Sequence, residues 1–249
     1  VYTACVGKNS YIDDNCRGNE VAVKHVSTAC ARKTDPHTSV INEVRILNII
    51  GPHPYVVSMI DNFNDAHNMY IVMEKMDQSL SSLDRQTFTE KHVKGVAENI
   101  ATALEHIHSM GIIHCDIKSD NILVLGTTIK LSDFGLALQI TETEELINMG
   151  KKRSGIRGTP GYYAPEILLT GMGDMKIDCW CLGIVLYNLL CGDFPFNKED
   201  TESIKQCIWL GDGDTGGEFP IPLSDTAKDL VRNLLCYREN RLSATYILE

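Results

Sequence analysis

The middle of the chain carries acid, lysine and amide side chains at spacings that suit chemistry on phosphate. In the stretch HCDIKSDN, Asp116 is followed by Lys118 and then by Asn121. A carboxylate can orient or deprotonate a hydroxyl, an ammonium can neutralise phosphate, and an amide oxygen can bind a divalent cation. Asp133 opens a DFG tripeptide further along. It is a second candidate metal ligand, because hard cations prefer oxygen ligands.

One lysine and one glutamate nearer the start could complete this set. Lys24 closes the β-rich run VAVK, and Glu43 lies in the next predicted helix. A helix packed against that strand could bring the Glu43 carboxylate to Lys24, and the ion pair would then hold the ammonium where phosphates bind. Alone, such a lysine is more often a charge at the edge of a sheet.

The hydrophobic pattern predicts a β-rich first part followed by a helical remainder. Strands are expected at 1–6, 21–26, 56–63 and 69–74, the first two forming a hairpin, with a helix at 38–50. Apolar residues recur every three or four positions from 93 to 107, and helical patterns return after 164, interrupted by the glycine-rich segment 211–217. The predicted fold class is α+β, with a small β-rich lobe and a larger α-helical lobe hinged near 74–78.

Composition narrows the classes of function. The 249 residues include 43% hydrophobic residues, and 23 Lys and Arg against 33 Asp and Glu give a net charge of −10. No basic stripe is present, so nucleic acid is not a predicted partner. The apolar run 179–192 is too short to span a membrane. Nine irregularly spaced cysteines indicate reduced thiols in an intracellular protein, cytoplasmic or nuclear, rather than a disulfide framework. Oligomeric state is left open.

Taken together, these segments resemble the protein kinase family. The family motifs V-A-I-K, a helix Glu, H-R-D-x-K-x-x-N, D-F-G, A-P-E and D-x-W-x-x-G stand here at 21–24, 43, 114–121, 133–135, 164–166 and 178–183. The resemblance covers essentially the whole chain. It implies a bilobal kinase fold, one domain over 1–249 that is incomplete at both ends. Its N-lobe, 1–76, lacks the glycine-rich loop, and its C-lobe spans 77–249.

The resemblance also implies roles for individual residues, with ATP and Mg²⁺ as cofactors and Mn²⁺ as an alternative metal. Asp116 would be the base, assisted by Lys118, Asn121, Lys24 and Glu43. Asn121 and Asp133 would hold the metal. The residues around the nucleotide base would be Val1, Ala22 and Leu123 on its faces, Met73 as gatekeeper, and the backbone of Glu74 and Met76. Glu166 would pair with Arg241, and Asp178 would anchor the backbone around His114.

Two features resemble kinases that act on serine and threonine. Lys118 comes two residues after Asp116, and Gly158-Thr159-Pro160 precedes the APE motif. The implied partners are therefore proteins that offer serine or threonine hydroxyls, and Thr159 is expected to bond near Asp116 and Lys118. Some segments resemble the STE group and others the calmodulin-dependent kinases, so the subgroup is left open.

The chain departs from the family pattern at Cys115, where an arginine usually pairs with a phosphate on the activation segment. We therefore expect full activity without phosphorylation of that segment, 133–166, although Thr141, Thr143 and Ser154 are candidate phosphosites. A rival interpretation makes Cys115 a redox-sensitive thiol. Cys115 and the missing glycine-rich loop are also the only support for the alternative function, a pseudokinase that binds or scaffolds.

Overall fold

The computed structural model describes residues 2–5, 20–27, 36–84, 88–140, 146–150, 156–196 and 219–248. Four features singled out in the sequence lie outside these ranges: Val1, the two threonines 141 and 143, Ser154, and the glycine-rich segment 211–217. In the described part of the chain, no helix combines the length and the apolar character needed to cross a membrane.

The first part of the chain forms an antiparallel sheet of four strands. These are β1 (Tyr2–Cys5), β2 (Glu20–Ser27), β3 (Met59–Asn64) and β4 (Asn68–Glu74), in the order β1-β2-β4-β3. β1 pairs with β2 and thereby confirms the predicted hairpin. β2 is rich in valine, as is typical of strands; Val21 is buried, and the residues from Ala22 to Lys24 are partly buried.

Helix α1 (Pro36–Ile50) begins two residues before the predicted boundary and ends at Gly51, which has a φ of 65°. Its buried positions recur every three or four residues and form one face of the helix. They are Val40, Glu43, Ile46, Leu47 and Ile50. The helical period therefore places the Glu43 carboxylate among apolar side chains, on the face that contacts the sheet.

The remainder of the described chain is mainly helical. Its helices are α2 (Glu90–Ser109), α3 (Pro165–Thr170), α4 (Lys176–Cys191), α5 (Asp225–Leu234) and α6 (Ala244–Ile247). α2 starts at a capping box, in which the Thr89 hydroxyl accepts from the backbone of His92 and the His92 ring accepts from the backbone of Thr89. α4 is apolar on all sides because it runs through the core, with Trp180 fully buried.

Short strands lie between the large helices and carry the motif residues on their connections. They are β5 (Gln78–Ser79), β6 (Ile112–Ile113), β7 (Ile122–Leu125), β8 (Thr128–Leu131), β9 (Leu138–Gln139), β10 (Ile147–Asn148) and β11 (Met172–Gly173). β5, β7 and β8 form one sheet, and β6 pairs with β9. The segment 114–121 therefore runs from β6 to β7, and Asp133 follows β8 directly. The α+β fold class predicted from sequence is confirmed.

A buried ion pair ties α3 to the end of the chain. Arg241 donates from Nη1 and Nη2 to the two carboxylate oxygens of Glu166, at 2.6 and 3.0 Å. The same guanidinium donates to the carbonyls of Cys236 and Lys176 and lies 4.9 Å from the centre of the Trp180 ring. The predicted Glu166–Arg241 pair is confirmed, and its nitrogen atoms are satisfied in a site closed to water.

Replacement of Arg241 by methionine should destabilise the fold strongly. The change keeps most of the volume but leaves the Glu166 carboxylate and two carbonyls without their donor, at a cost of about 3–5 kcal/mol. Chemical denaturation measures the free energy of unfolding. Arg232→Met, which removes a partly exposed arginine from α5, is the control and should cost less than about 1 kcal/mol. Equal losses in the two variants would contradict this account.

Candidate active site

Lys24 lies where the four-stranded sheet, α1 and the turn after β8 meet. Its Nζ is 2.7 Å from Oε2 of Glu43 and 2.8 Å from Oδ1 of Asp133. Strand β2 supplies the lysine, the buried face of α1 supplies Glu43, and the turn after β8 supplies Asp133. The structure thus forms the predicted Lys24–Glu43 pair and adds Asp133 to it. We call these three residues the lysine triad.

The charges within the lysine triad support one another. Burial by itself lowers the pKa of Lys24, but Glu43 and Asp133 outweigh it and raise that pKa above its ordinary value. For Asp133, burial raises the pKa, but the charge and hydrogen bond of Lys24 outweigh it and hold the pKa below its ordinary value. Burial raises the pKa of Glu43, which Lys24 only partly offsets. At neutral pH Lys24 is a cation and Asp133 an anion.

Asp133 is turned out of the core by its own backbone. Its φ of 62° and ψ of 75° lie in the left-handed region, which is uncommon for a residue other than glycine. Phe134 next to it is fully buried and meets the His114 ring edge-on, with ring centres 4.8 Å apart. A Cβ on Gly135 would lie 2.6 Å from the Ser39 hydroxyl of α1 and would displace it from its hydrogen bond to the Gly135 carbonyl. The carboxylate remains about half exposed.

A second network surrounds the Asp116 carboxylate. Oδ1 accepts from the Thr159 hydroxyl at 2.5 Å, and Oδ2 accepts from Asn121 at 3.0 Å and lies 2.8 Å from Lys118 Nζ. Lys118 also donates to the Thr159 hydroxyl at 2.8 Å. The structure therefore brings together three residues predicted from one motif and confirms the expected position of Thr159. These four residues form what we call the base network.

A buried carboxylate on α4 fixes the backbone of the loop that carries Asp116. Asp178 on α4 is fully buried and accepts from the backbone N–H of His114 at 2.8 Å and of Cys115 at 3.0 Å. The ring of His108 lies 2.9 Å from the same carboxylate. Cys115 has a φ of 69°, so these bonds hold a left-handed residue directly before Asp116. The predicted anchoring by Asp178 is confirmed; the part played by His108 was missed.

The candidate metal ligands lie on neighbouring backbone. Ser132, the residue before Asp133, donates from both its N–H and its hydroxyl to the backbone carbonyl of Asn121, at 2.9 Å each. The side-chain nitrogen of Asn121 donates to Asp116, so its amide oxygen is the atom left to face a cation. One carboxylate and one amide oxygen suit Mg²⁺, which usually completes its shell with water and phosphate oxygens. The residues present therefore fit this metal.

The residues expected around a nucleotide base lie at the ends of two sheets. Ala22 on β2 and Met73 on β4 are direct cross-strand partners. Leu123 is on β7, where it pairs with Ser79 of β5. Met76 is buried on the connection between β4 and β5. Val1 lies outside the described residues.

Glu74, at the end of β4, has a partner that the sequence did not indicate. Its carboxylate accepts from Lys130 Nζ at 2.7 and 2.8 Å and from the backbone N–H of Ser58 at 2.6 Å. Lys130 belongs to β8, in the other sheet. The side chain of Glu74 is therefore occupied by a bridge between the two sheets, and its backbone N–H donates to the carbonyl of Ser58 at 3.0 Å.

Cys115 has the environment of a packed thiol. It is 5% exposed, and burial together with the nearby Asp178 charge raises its pKa well above the ordinary value. The thiolate is the reactive form of cysteine. The structure therefore argues against the interpretation of Cys115 as a redox-sensitive thiol and supports packing instead.

Cys115 should resist alkylation in the folded protein. With iodoacetamide at about pH 8, labelling read by mass spectrometry should find Cys191, which is only partly buried, modified before Cys115. Both thiols should react at similar rates once the protein is denatured. This control excludes a difference in detection between the two peptides as the cause. Labelling of Cys115 in the native protein at least as fast as that of Cys191 would contradict the assigned environment.

Comparison with known proteins gives a family and several relatives. The family described as the protein kinase domain matches residues 6–249. The serine/threonine-protein kinase GL21140 of Drosophila persimilis is 36% identical over 210 residues, which are 78% of this chain and 26% of that protein. The serine/threonine-protein kinase DCLK1 of Rattus norvegicus is 34% identical over 220 residues, 84% of this chain and 48% of the relative.

Calcium-dependent protein kinase 24 of Oryza sativa subsp. japonica is 33% identical over 231 residues, 90% of this chain and 43% of the relative. The chain thus spans about half, or less, of the length of the curated relatives that it matches. The family match itself extends over nearly all of its residues and includes both the lysine triad and the base network. The chain belongs to the protein kinase domain family.

Proposed function

We propose that this chain transfers the γ-phosphate of ATP to serine and threonine hydroxyls of proteins. The observation that carries the proposal is the pair of charge networks just described. The lysine triad offers a fixed ammonium beside an ionised carboxylate, and the base network offers a carboxylate beside a second ammonium. Phosphoryl transfer depends on positioning and on neutralising charge, which are the two tasks that these groups suit.

In this proposal the lysine triad handles the nucleotide phosphates. Lys24 would neutralise phosphate oxygens while Glu43 keeps its ammonium from turning away. Asp133 and Asn121 would hold Mg²⁺, with Mn²⁺ as an alternative, since both are hard cations that take oxygen ligands. When bound, the metal supplies additional neutralisation of the phosphate charge.

The base network would act on the acceptor. Asp116 would accept the hydrogen bond, and then the proton, of the serine or threonine hydroxyl. Lys118 would neutralise charge on the phosphate in transfer. The Thr159 hydroxyl bonds to both Asp116 and Lys118 and so helps to fix their relative position. This position matters because small displacements of catalytic groups lower the reaction rate strongly.

The nucleotide base would lie between the two sheets. Ala22 and Leu123 would cover its faces together with Val1, Met73 would limit the depth of the pocket, and the backbone of Glu74 and Met76 would supply hydrogen bonds. This assignment also divides the domain into an N-lobe at 1–76 and a C-lobe at 77–249.

The choice of serine and threonine rests on the sequence features at Lys118 and Thr159 and on relatives that carry serine/threonine kinase in their names. An intracellular location, cytoplasmic or nuclear, belongs to the proposal. Five cysteines in the described part of the chain are free thiols, which supports it. The rival function, a pseudokinase scaffold, gains no support from the described residues, because the charged groups that chemistry needs are all present there.

Asp116→Asn should remove most of the transferase activity. The amide keeps the shape of the side chain but cannot accept a proton, and loss of a general base typically costs about 10²- to 10⁴-fold in rate. Transfer of labelled γ-phosphate to a panel of serine, threonine and tyrosine peptides measures it. Asp225→Asn, a highly exposed carboxylate on α5, is the matched control and should keep full activity. Equal signal from the wild type and Asp116→Asn would reject the proposal.

Asp133→Asn should be more damaging than Glu43→Gln. Asp133 would be the only carboxylate of the proposed metal pair, because Asn121 contributes an amide, whereas loss of the Glu43 charge leaves Lys24 still paired with Asp133. We expect a rate at saturating Mg-ATP at least about tenfold lower for Asp133→Asn than for Glu43→Gln. Comparable residual rates in the two variants would contradict the different roles proposed for Asp133, as a metal ligand, and Glu43, as the partner of Lys24.

A further inference from the structure

A guanidinium from the segment before Thr159 reaches the turn that carries Asp133. Arg157 is half-buried, and its Nη1 donates to the backbone carbonyl of Leu136 at 3.2 Å. Leu136 ends the 3-10 turn Phe134–Leu136 that directly follows Asp133. Thr159 lies two residues after Arg157 and donates to Asp116. The short segment 157–159 therefore contacts both the proposed metal turn and the base network, through two different side chains.

The backbone around Arg157 is held on several sides. Its own N–H donates to the carbonyl of Met149 at 3.0 Å. The hydroxyl of Tyr163 donates to the carbonyls on either side of Arg157, those of Ile156 at 3.3 Å and Gly158 at 3.1 Å. The backbone that carries Arg157 is therefore held in place before its side chain bonds to Leu136, so only the side chain remains to be ordered.

The same segment packs directly on the loop that precedes Asp116. A Cβ at Gly158, whose φ is 105°, would lie 2.7 Å from the carbonyl oxygen of Cys115, so only glycine permits this approach. Cys115 supplies no cation here, because a cysteine side chain carries no positive charge in either protonation state. Arg157 is close enough for its charge to act on that thiol. Arg157 thus adds a positive charge beside the loop that carries Asp116, in addition to that of Lys118 within the loop.

We propose that Arg157 is a positioning residue that clamps residues 156–159, the described part of the activation segment before the APE motif, to the Asp133 turn without a phosphate. The proposal rests on the proposed kinase function and goes beyond it by assigning how the segment is held. A hydrogen bond from a charged donor is stronger than one between neutral groups. Both the donor and the acceptor of the bond to Leu136 are unmodified groups of the chain, so the bond forms without phosphorylation.

Arg157→Met tests the clamp because methionine keeps the aliphatic length and removes the donor. We expect kcat for peptide phosphorylation to fall about 10- to 100-fold, the loss typical of one charge-assisted hydrogen bond. KM for ATP should stay within about twofold, since Arg157 contacts neither the lysine triad nor the nucleotide-base residues. Arg157→Lys, which retains a charged donor, should recover at least half of the lost activation free energy.

Controls separate the clamp from general damage. Arg232→Met, an arginine removed from α5, should keep wild-type kcat, and rates are divided by the concentration of folded sites from titration with a fluorescent ATP analogue. Treatment of the wild type with a protein phosphatase should lower kcat less than about tenfold, because the clamp contains no phosphate. A larger fall would reject independence from phosphate.

Two further results would overturn the clamp. The first is an Arg157→Met kcat within about twofold of the wild type, and the second is an Arg157→Lys variant as impaired as Arg157→Met. In either case the kinase function would stand as long as Asp116→Asn is inactive. If the wild type transfers no more phosphate than Asp116→Asn, the proposed function itself fails.

Discussion

The contact of Lys24 with Glu43 and Asp133 is the constraint on which the arrangement of the whole site depends. Glu43 is 1% exposed, and a buried carboxylate without a cation would be costly, so α1 must lie where β2 can deliver the lysine. Asp133 then completes the charge balance from the turn after β8. Three elements that are distant in sequence are thus held at one point by a single ammonium.

A second buried carboxylate, that of Asp178, fixes the loop that carries Asp116. Asp178 accepts from two consecutive backbone N–H groups and so stabilises the left-handed backbone at Cys115. Because Asp178 lies on α4, most of whose residues are buried in the core, the loop that carries Asp116 is attached directly to the core. Phe134, packed against His114, connects this loop to the Asp133 turn through apolar contact rather than charge.

Much of the fold followed from local pattern, because hydrophobic periodicity and capping report on neighbouring residues. The β1–β2 hairpin, helix α1 and the apolar face of α2 were predictable in this way. The burial of Glu43 on α1 was not predicted. Family motifs supplied the members of the base network. The left-handed backbone at Cys115 and Asp133 was not predictable, since tertiary bonds rather than residue type impose it. The Glu74–Lys130 bridge and the bond from Arg157 to Leu136 join segments whose proximity exists only after folding.

The central claim is that one cleft gathers an ammonium, two metal-holding side chains and one carboxylate base around the terminal phosphate of ATP. A crystal structure with Mg²⁺ and a non-hydrolysable ATP analogue tests it most directly. The account predicts a metal ion bound by Asp133 and Asn121, Lys24 on the phosphates, and Asp116 facing the γ-phosphate from the acceptor side. A nucleotide bound elsewhere, or a metal ion that contacts neither Asp133 nor Asn121, would contradict it.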